Sequence, residues 1–148
     1  MIITQGGRFN GFGLYVLQGK PVFHYNLVGV DRTTIAGKDA LAPGKHTIML
    51  GFKYDGGGIG KGGLATLSVD GKEVASAKLA RTIPFRVSAD ETLDIGIDTG
   101  TPVSEDYHVP FKFTDTIEKV VVDLSQTGLS PQDQKELDDK EGANEIVD

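Results

Sequence analysis

The sequence predicts an all-β protein, an antiparallel β-sandwich or jelly roll, and three observations predict it. Short apolar runs are separated by turn residues at intervals of roughly 8–12 residues along the chain. Glycine makes up 20 of the 148 residues, about twice its average share and without a collagen-like period. That surplus suits a loop-rich β protein, whose turns need positive φ. Finally, no strand–helix alternation is present that would build a parallel sheet. About nine or ten strands are expected by this count, with a closed barrel as the alternative closure.

The elements follow in order. Ile2-Ile3 is strand-like from the start of the chain. Runs 12–17 and 21–28 are joined by Gln18-Gly19-Lys20, a glycine-bearing connection that reads as a hairpin. In the second run Phe23, Tyr25 and Leu27 form the expected core face, with Val22, His24, Asn26 and Val28 opposite. Pro43-Gly44-Lys45 is a turn before a strand from His46 to Tyr54, whose even positions are expected to point inward. Leu64–Val69 and Val74–Leu79 flank Asp70-Gly71, a dipeptide suited to the positive φ of a tight hairpin turn. Further strands are expected at 83–88, 92–97, 109–113 and 116–124. Ser130-Pro131-Gln132-Asp133 then starts a short helix over 131–141, with serine as the cap and proline at the first helical position.

These elements give a sandwich domain over 1–124 and an acidic tail over 125–148. The tail carries seven acids against Lys135 and Lys140, a net −5 of the total −6, so the body is nearly neutral. A neutral body with an acidic tail disfavours a nucleic-acid partner, which requires a cationic face. Neither a membrane-spanning run of about 20 apolar residues nor a secretory signal pattern is present. Without cysteine there is no disulfide and no thiolate zinc site.

Several patterns in the chain carry chemistry in other proteins. Gly58-Ile59-Gly60-Lys61-Gly62-Gly63 matches the spacing of a dinucleotide-binding loop, but that loop must open a helix, and here a strand pattern follows. A phosphate-binding loop of the lysine type fails as well, because Asp55 and Gly62 stand where glycine and a hydroxyl belong. A hairpin loop with several positive φ angles is the expected reading. His24, His46 and His108 stand singly in strand-like segments, without metal-ligand spacing. An independent enzyme would need an acid–base pair such as Asp55 with His24 or His46. Asp90, Glu91, Asp94, Asp98, Glu105 and Asp106 surround Thr99-Gly100-Thr101-Pro102, and calcium is the one cofactor such oxygens would suit. Side-chain caps on local turns account for the same residues. Tyr15, Tyr25, Tyr54 and Tyr107 are the aromatic residues weighed as a platform for a sugar ring.

An ordered set of segments resembles the C-terminal region of bacterial arylsulfatases. It comprises Gln5-Gly6-Gly7-Arg8-Phe9, Gly13-Leu14-Tyr15, Lys20 to Asn26, Tyr54 to Gly63 and Asp98 to Ser104, and spans roughly residues 2–124. The resemblance implies a β-rich region appended to an α/β catalytic domain that holds the formylglycine nucleophile and a calcium. It implies a bacterial parent, periplasmic or secreted. The family's Cys/Ser-x-Pro-x-Arg motif has no counterpart in this chain, so no catalytic or metal residue carries over. What carries over is the expectation that two loops are fixed features of this region, either facing the catalytic domain or binding a ligand. They contribute Tyr54, Asp55, Gly58, Gly60 and Lys61 from the first, and Asp98, Thr99 and Thr101 from the second.

Two main functions compete. One is a non-catalytic accessory domain that packs on the catalytic domain or mediates homo-oligomerisation. The other is a concanavalin-like, lectin-like sandwich that binds carbohydrate. The first expects an exposed apolar patch, the second a rim of tyrosines with convergent polar groups.

Overall fold

The protein is an all-β sandwich. Its structure, a computed structural model, describes residues 1–84, 87, 91–124, 130–133 and 135. The strands are β1 (Ile3–Gly6), β2 (Asn10–Leu17), β3 (Lys20–Leu27), β4 (Asp31–Ala36), β5 (Ile48–Tyr54), β6 (Lys61–Val69), β7 (Lys72–Arg81), β8 (Leu93–Ile95), β9 (Ile97–Asp98) and β10 (Phe111–Lys112). One sheet has the order β4-β3-β2-β1-β8 and the other β5-β6-β7, with β9 and β10 forming a separate pair. Every pairing described is antiparallel. Within each main sheet successive strands are neighbours, and β8 returns to pair with β1. The interleaved strand order of a jelly roll is not seen among the described residues.

Turn chemistry explains the two tight hairpins. Gln18 and Gly19 (φ 51° and 78°) join β2 to β3, and Asp70 and Gly71 (φ 51° and 80°) join β6 to β7. Two successive positive φ angles give the turn whose twist matches the flanking strands. At Gly96 (φ 81°) the expected strand 92–97 breaks in two. The chain leaves β1 there and continues as β9 beside β10.

The core lies between the two main sheets. Ile3, Leu14, Phe23, Tyr25 and Ile35 from the first meet Ala65, Leu67 and Leu79 from the second. Ile48 and Leu50 also pack there, as the inward even positions of β5 require. Phe52 departs from that expectation and is 42% exposed, because its ring lies over Gly63, where a side chain would collide with it. One side of the sandwich is closed where β4 meets β7, with Arg81 Nη2 2.6 Å from Asp31 Oδ2.

The far side is closed by residues 116–120, and this corrects the expectation of a strand over 116–124. No strand forms in that segment. Ile117 lies beside Gly96, Glu118 pairs with Lys45 just ahead of β5, and Val120 packs on the core. A segment that bridges two sheets cannot keep register with either. Val121, Val122 and Leu124 beyond it are 62–76% exposed. The expected strand 83–88 is likewise not formed at Ile83, Pro84 or Val87, and its other residues lie outside the described set. In place of a ladder, the Ile83 amide donates to the Tyr25 hydroxyl at 2.6 Å. The strand β4, which no pattern announced, supplies the edge that meets β7.

Ser130 caps residues 131–133 and 135, which are helical. Its hydroxyl accepts from the Asp133 amide at 3.2 Å, and its own amide donates to Asp133 Oδ2 at 3.2 Å, a reciprocal cap. The remainder of the helix expected over 131–141 lies outside the described residues.

Candidate functional site

The outer face of the five-stranded sheet carries most of the buried polar chemistry. Residues 98–111 cross this face and cover it. Tyr107 and Phe111 stack at 4.5 Å, and Tyr15 meets Tyr107 edge-on at 5.3 Å. With Met1 and Val22 they form a second apolar cluster. The face of β3 expected to meet solvent is therefore buried too, and Val22, His24 and Asn26 are at most 5% exposed.

Hydrogen bonds hold the cover down. The Asn26 amide donates to the carbonyl oxygens of Arg8 at 2.7 Å and of Gly7 and Val103 at 3.4 Å. Its carbonyl accepts from the Gly29 amide at 2.8 Å. The Tyr107 hydroxyl donates to Asp98 Oδ2 at 2.5 Å and accepts from the Val103 amide at 3.1 Å. Burial raises the Asp98 carboxyl above the usual range, against the pull of the Tyr107 and Gly100 hydrogen bonds. The Tyr15 hydroxyl, itself pushed up by burial, donates to Asp106 at 3.2 Å. Glu105 pairs with Arg32 at 2.7 Å. Beneath them His24 Nδ1 bonds Thr34 Oγ1 at 2.7 Å, while its Nε2 is buried without a partner. Burial depresses the His24 pKa, and the nearby Asp106 partly opposes it.

Two hairpin tips stand at one end of this sheet. Phe9, Val28 and Val30 are 75%, 60% and 78% exposed. The Val28 amide donates to Asn10 Oδ1 at 2.8 Å, which ties the two tips together. Val28 holds φ at 53°, a region that a β-branched residue enters only under strain.

A third feature is a groove of about 470 Å³ between residues 37–42 and the β6–β7 turn. His46 lies in its wall. Its Nδ1 is 2.7 Å from Asp70 Oδ2, and its Nε2 donates to the Ala42 carbonyl at 2.8 Å. The Asp70 hydrogen bond, then that to Ala42, raises the His46 pKa. With both ring nitrogens engaged, His46 staples loop to turn and has no lone pair free for base chemistry. Sequence reasoning did not find this pair. Its members are 24 residues apart, and only the chain's return brings them together.

The residues singled out from sequence fall into separate places. Tyr54 folds its hydroxyl back onto the Gly58 carbonyl and accepts from the Lys61 amide at 2.8 Å, organising the glycine loop internally. Gly56, Gly57, Gly58 and Gly60 all have positive φ, as a loop joining β5 to β6. Asp55 pairs with Lys78 at 2.5 Å, not with His24 or His46, so the acid–base pair considered above is not assembled. Gly60 packs near Pro84 at the other end of the loop. Across the molecule, Thr101 Oγ1 accepts from the Arg8 amide at 2.9 Å and donates to Glu91 at 2.8 Å. Asp98 is buried under Tyr107, and Thr99 is exposed. No described hydrogen bond joins the two loops.

The acidic segment is dispersed in the same way. Asp94 accepts from Thr92, and Asp98, Glu105 and Asp106 turn to Tyr107, Arg32 and Tyr15. Among the described residues no three metal-ligating side chains converge. Tyr15, Tyr25 and Tyr107 are buried, and Tyr54 is partly so, which leaves no assembled aromatic platform. No family model, curated protein or solved structure matches this chain.

Proposed function

We propose that the chain is the non-catalytic C-terminal accessory domain of an arylsulfatase-like sulfuric ester hydrolase, docking on the catalytic domain through its hairpin tips. The observation that carries this reading is the rigid display of Phe9, Val28 and Val30. A buried Asn26 and a bond from the Val28 amide to Asn10 hold these tips, with Val28 in a strained conformation. Strain of this kind persists only where surrounding structure imposes it, and it concentrates at working surfaces. Exposed apolar groups on a fixed support suit a protein partner. The ordered resemblance of residues 2–124 to the arylsulfatase C-terminal region supplies the identity of that partner.

Two measurements test the reading. Hydrolysis of a chromogenic aryl sulfate by the chain alone, with and without calcium, is expected to equal buffer, and turnover would overturn the non-catalytic assignment. In sedimentation, the chain is expected to associate with the catalytic domain of a bacterial arylsulfatase lacking its own C-terminal region. Phe9→Ser with Val30→Ser should weaken that association by about tenfold or more. Failure of the native chain to associate would sink the docking model.

A further inference from the structure

We infer that residues 98–111 are an acid-released cover over the outer face of the five-stranded sheet, with the buried His24 as the trigger. An imidazole with one nitrogen bonded to Thr34 tolerates burial while neutral. Protonation gives it a positive charge and a second N–H with nothing in reach, the costliest arrangement for a buried polar group.

The groups facing His24 explain why the cover is what yields. From β2 the cross-strand neighbour is Gly13, which offers no side chain. From β4 come Thr34, already bonded, and Arg32, whose charge opposes protonation. From the cover come Glu105 and Asp106, which favour the cation but are committed to Arg32 and Tyr15. Each acid has one oxygen engaged by its present partner, and neither bonds the His24 ring in the covered state. The strands are fixed by their ladders, whereas the span between β9 and β10 is held to the sheet by side-chain bonds from Asn26, Tyr15 and Arg32, with Tyr107 knitting the span to itself. Water or a displaced carboxylate reaches Nε2 when those bonds open.

The sign follows from burial. His24 binds its proton less readily in the covered state, so the stability of that state declines as pH falls below 6.5 toward the depressed value. Other groups titrate in the same layer, among them Glu105, whose carboxyl the Arg32 hydrogen bond holds below the usual range. The Met1 amino group, lowered to about 6 by burial, faces Asp98. Asp98 itself has a raised pKa, so its protonation favours the covered state and opposes release.

Hydrogen exchange tests the cover, after correction for the intrinsic pH dependence of exchange. Protection of amides in 99–109 is expected to fall by about tenfold per pH unit between the two His24 titration points. Amides of β5, β6 and β7 should keep theirs. His24→Gln is expected to abolish the loss below pH 6, which separates His24 from Met1, whose amino group has already titrated there. The same loss in His24→Gln, or parallel loss in β5–β7, would overturn the inference. Should His24→Gln fail to fold, the wild-type Cε1 proton resonance decides. A midpoint below 6.5 that coincides with loss of protection supports the trigger, and any other midpoint refutes it.

Discussion

In the five-stranded sheet β3 is buried along both faces, whereas β6, at the centre of the three-stranded sheet, alternates from Gly63 to Leu67. Ala65 and Leu67 are fully buried, and Leu64, on the opposite face, is 43% exposed. The difference comes from what lies outside each sheet. Residues 98–111 cover the first, and no described element covers the second. A sheet covered on one face only can follow simple alternation. One covered on both must satisfy any polar group it carries, which is the work of Asn26 and the origin of the unpaired His24 nitrogen.

The sharpest way to break this comparison is Asn26→Leu. The side chain has no exposure, and its loss leaves the Arg8, Gly7 and Val103 carbonyls and the Gly29 amide without that partner. Chemical denaturation should show a loss of about 3 kcal/mol. A loss below about 1 kcal/mol would mean that Asn26 contributes little to holding the cover and the β1–β2 turn together.

The two histidines give a second, smaller contrast of opposite sign. His46 has a raised pKa, so its contribution is complete below 6.5 and is lost as pH rises through the folded value. His24 has a depressed pKa, so its contribution is complete above 6.5 and is lost on acidification. Denaturation midpoints followed from pH 5 to 8.5 should therefore decline toward both ends. Asp70→Asn is expected to flatten the alkaline arm only, and an unchanged alkaline arm would remove the staple from the account.

The smallest effect is expected at Leu64→Ser on the open face of β6, within about 0.5 kcal/mol of wild type. A larger loss would reveal that this face is covered in solution, and the contrast between the sheets would narrow.

Much of the fold was legible where local chemistry decides it. Gln18-Gly19 and Asp70-Gly71 announced their hairpins because the turn itself requires positive φ. Ser130 and Asp133 announced a helix start for a similar reason. What failed were features decided by partners distant in sequence. Asp31-Arg32-Thr33-Thr34-Ile35-Ala36 has a weak strand composition, yet it pairs with all but the first two residues of β3. Residues 116–124 have the alternation of a strand, but the segment bridges the two sheets instead of pairing with either. His24 and Asn26 looked like the wet face of β3, since no local pattern shows that residues 98–111 will lie on them. Of the candidate site, the glycine loop was read as a loop, but the His46–Asp70 pair and the buried layer around Tyr107 depend on long-range return of the chain.

The pairing of β8 with β1 has a consequence for how this protein is assembled. Within β1–β4 and within β5–β7, neighbouring strands are linked by short connections, so their loops close at modest entropic loss. Ile3 meets Ile95 across about ninety intervening residues. That closure can be compensated only by contacts already gathered, so both meanders must be largely in place before the edge and its cover find something to close upon.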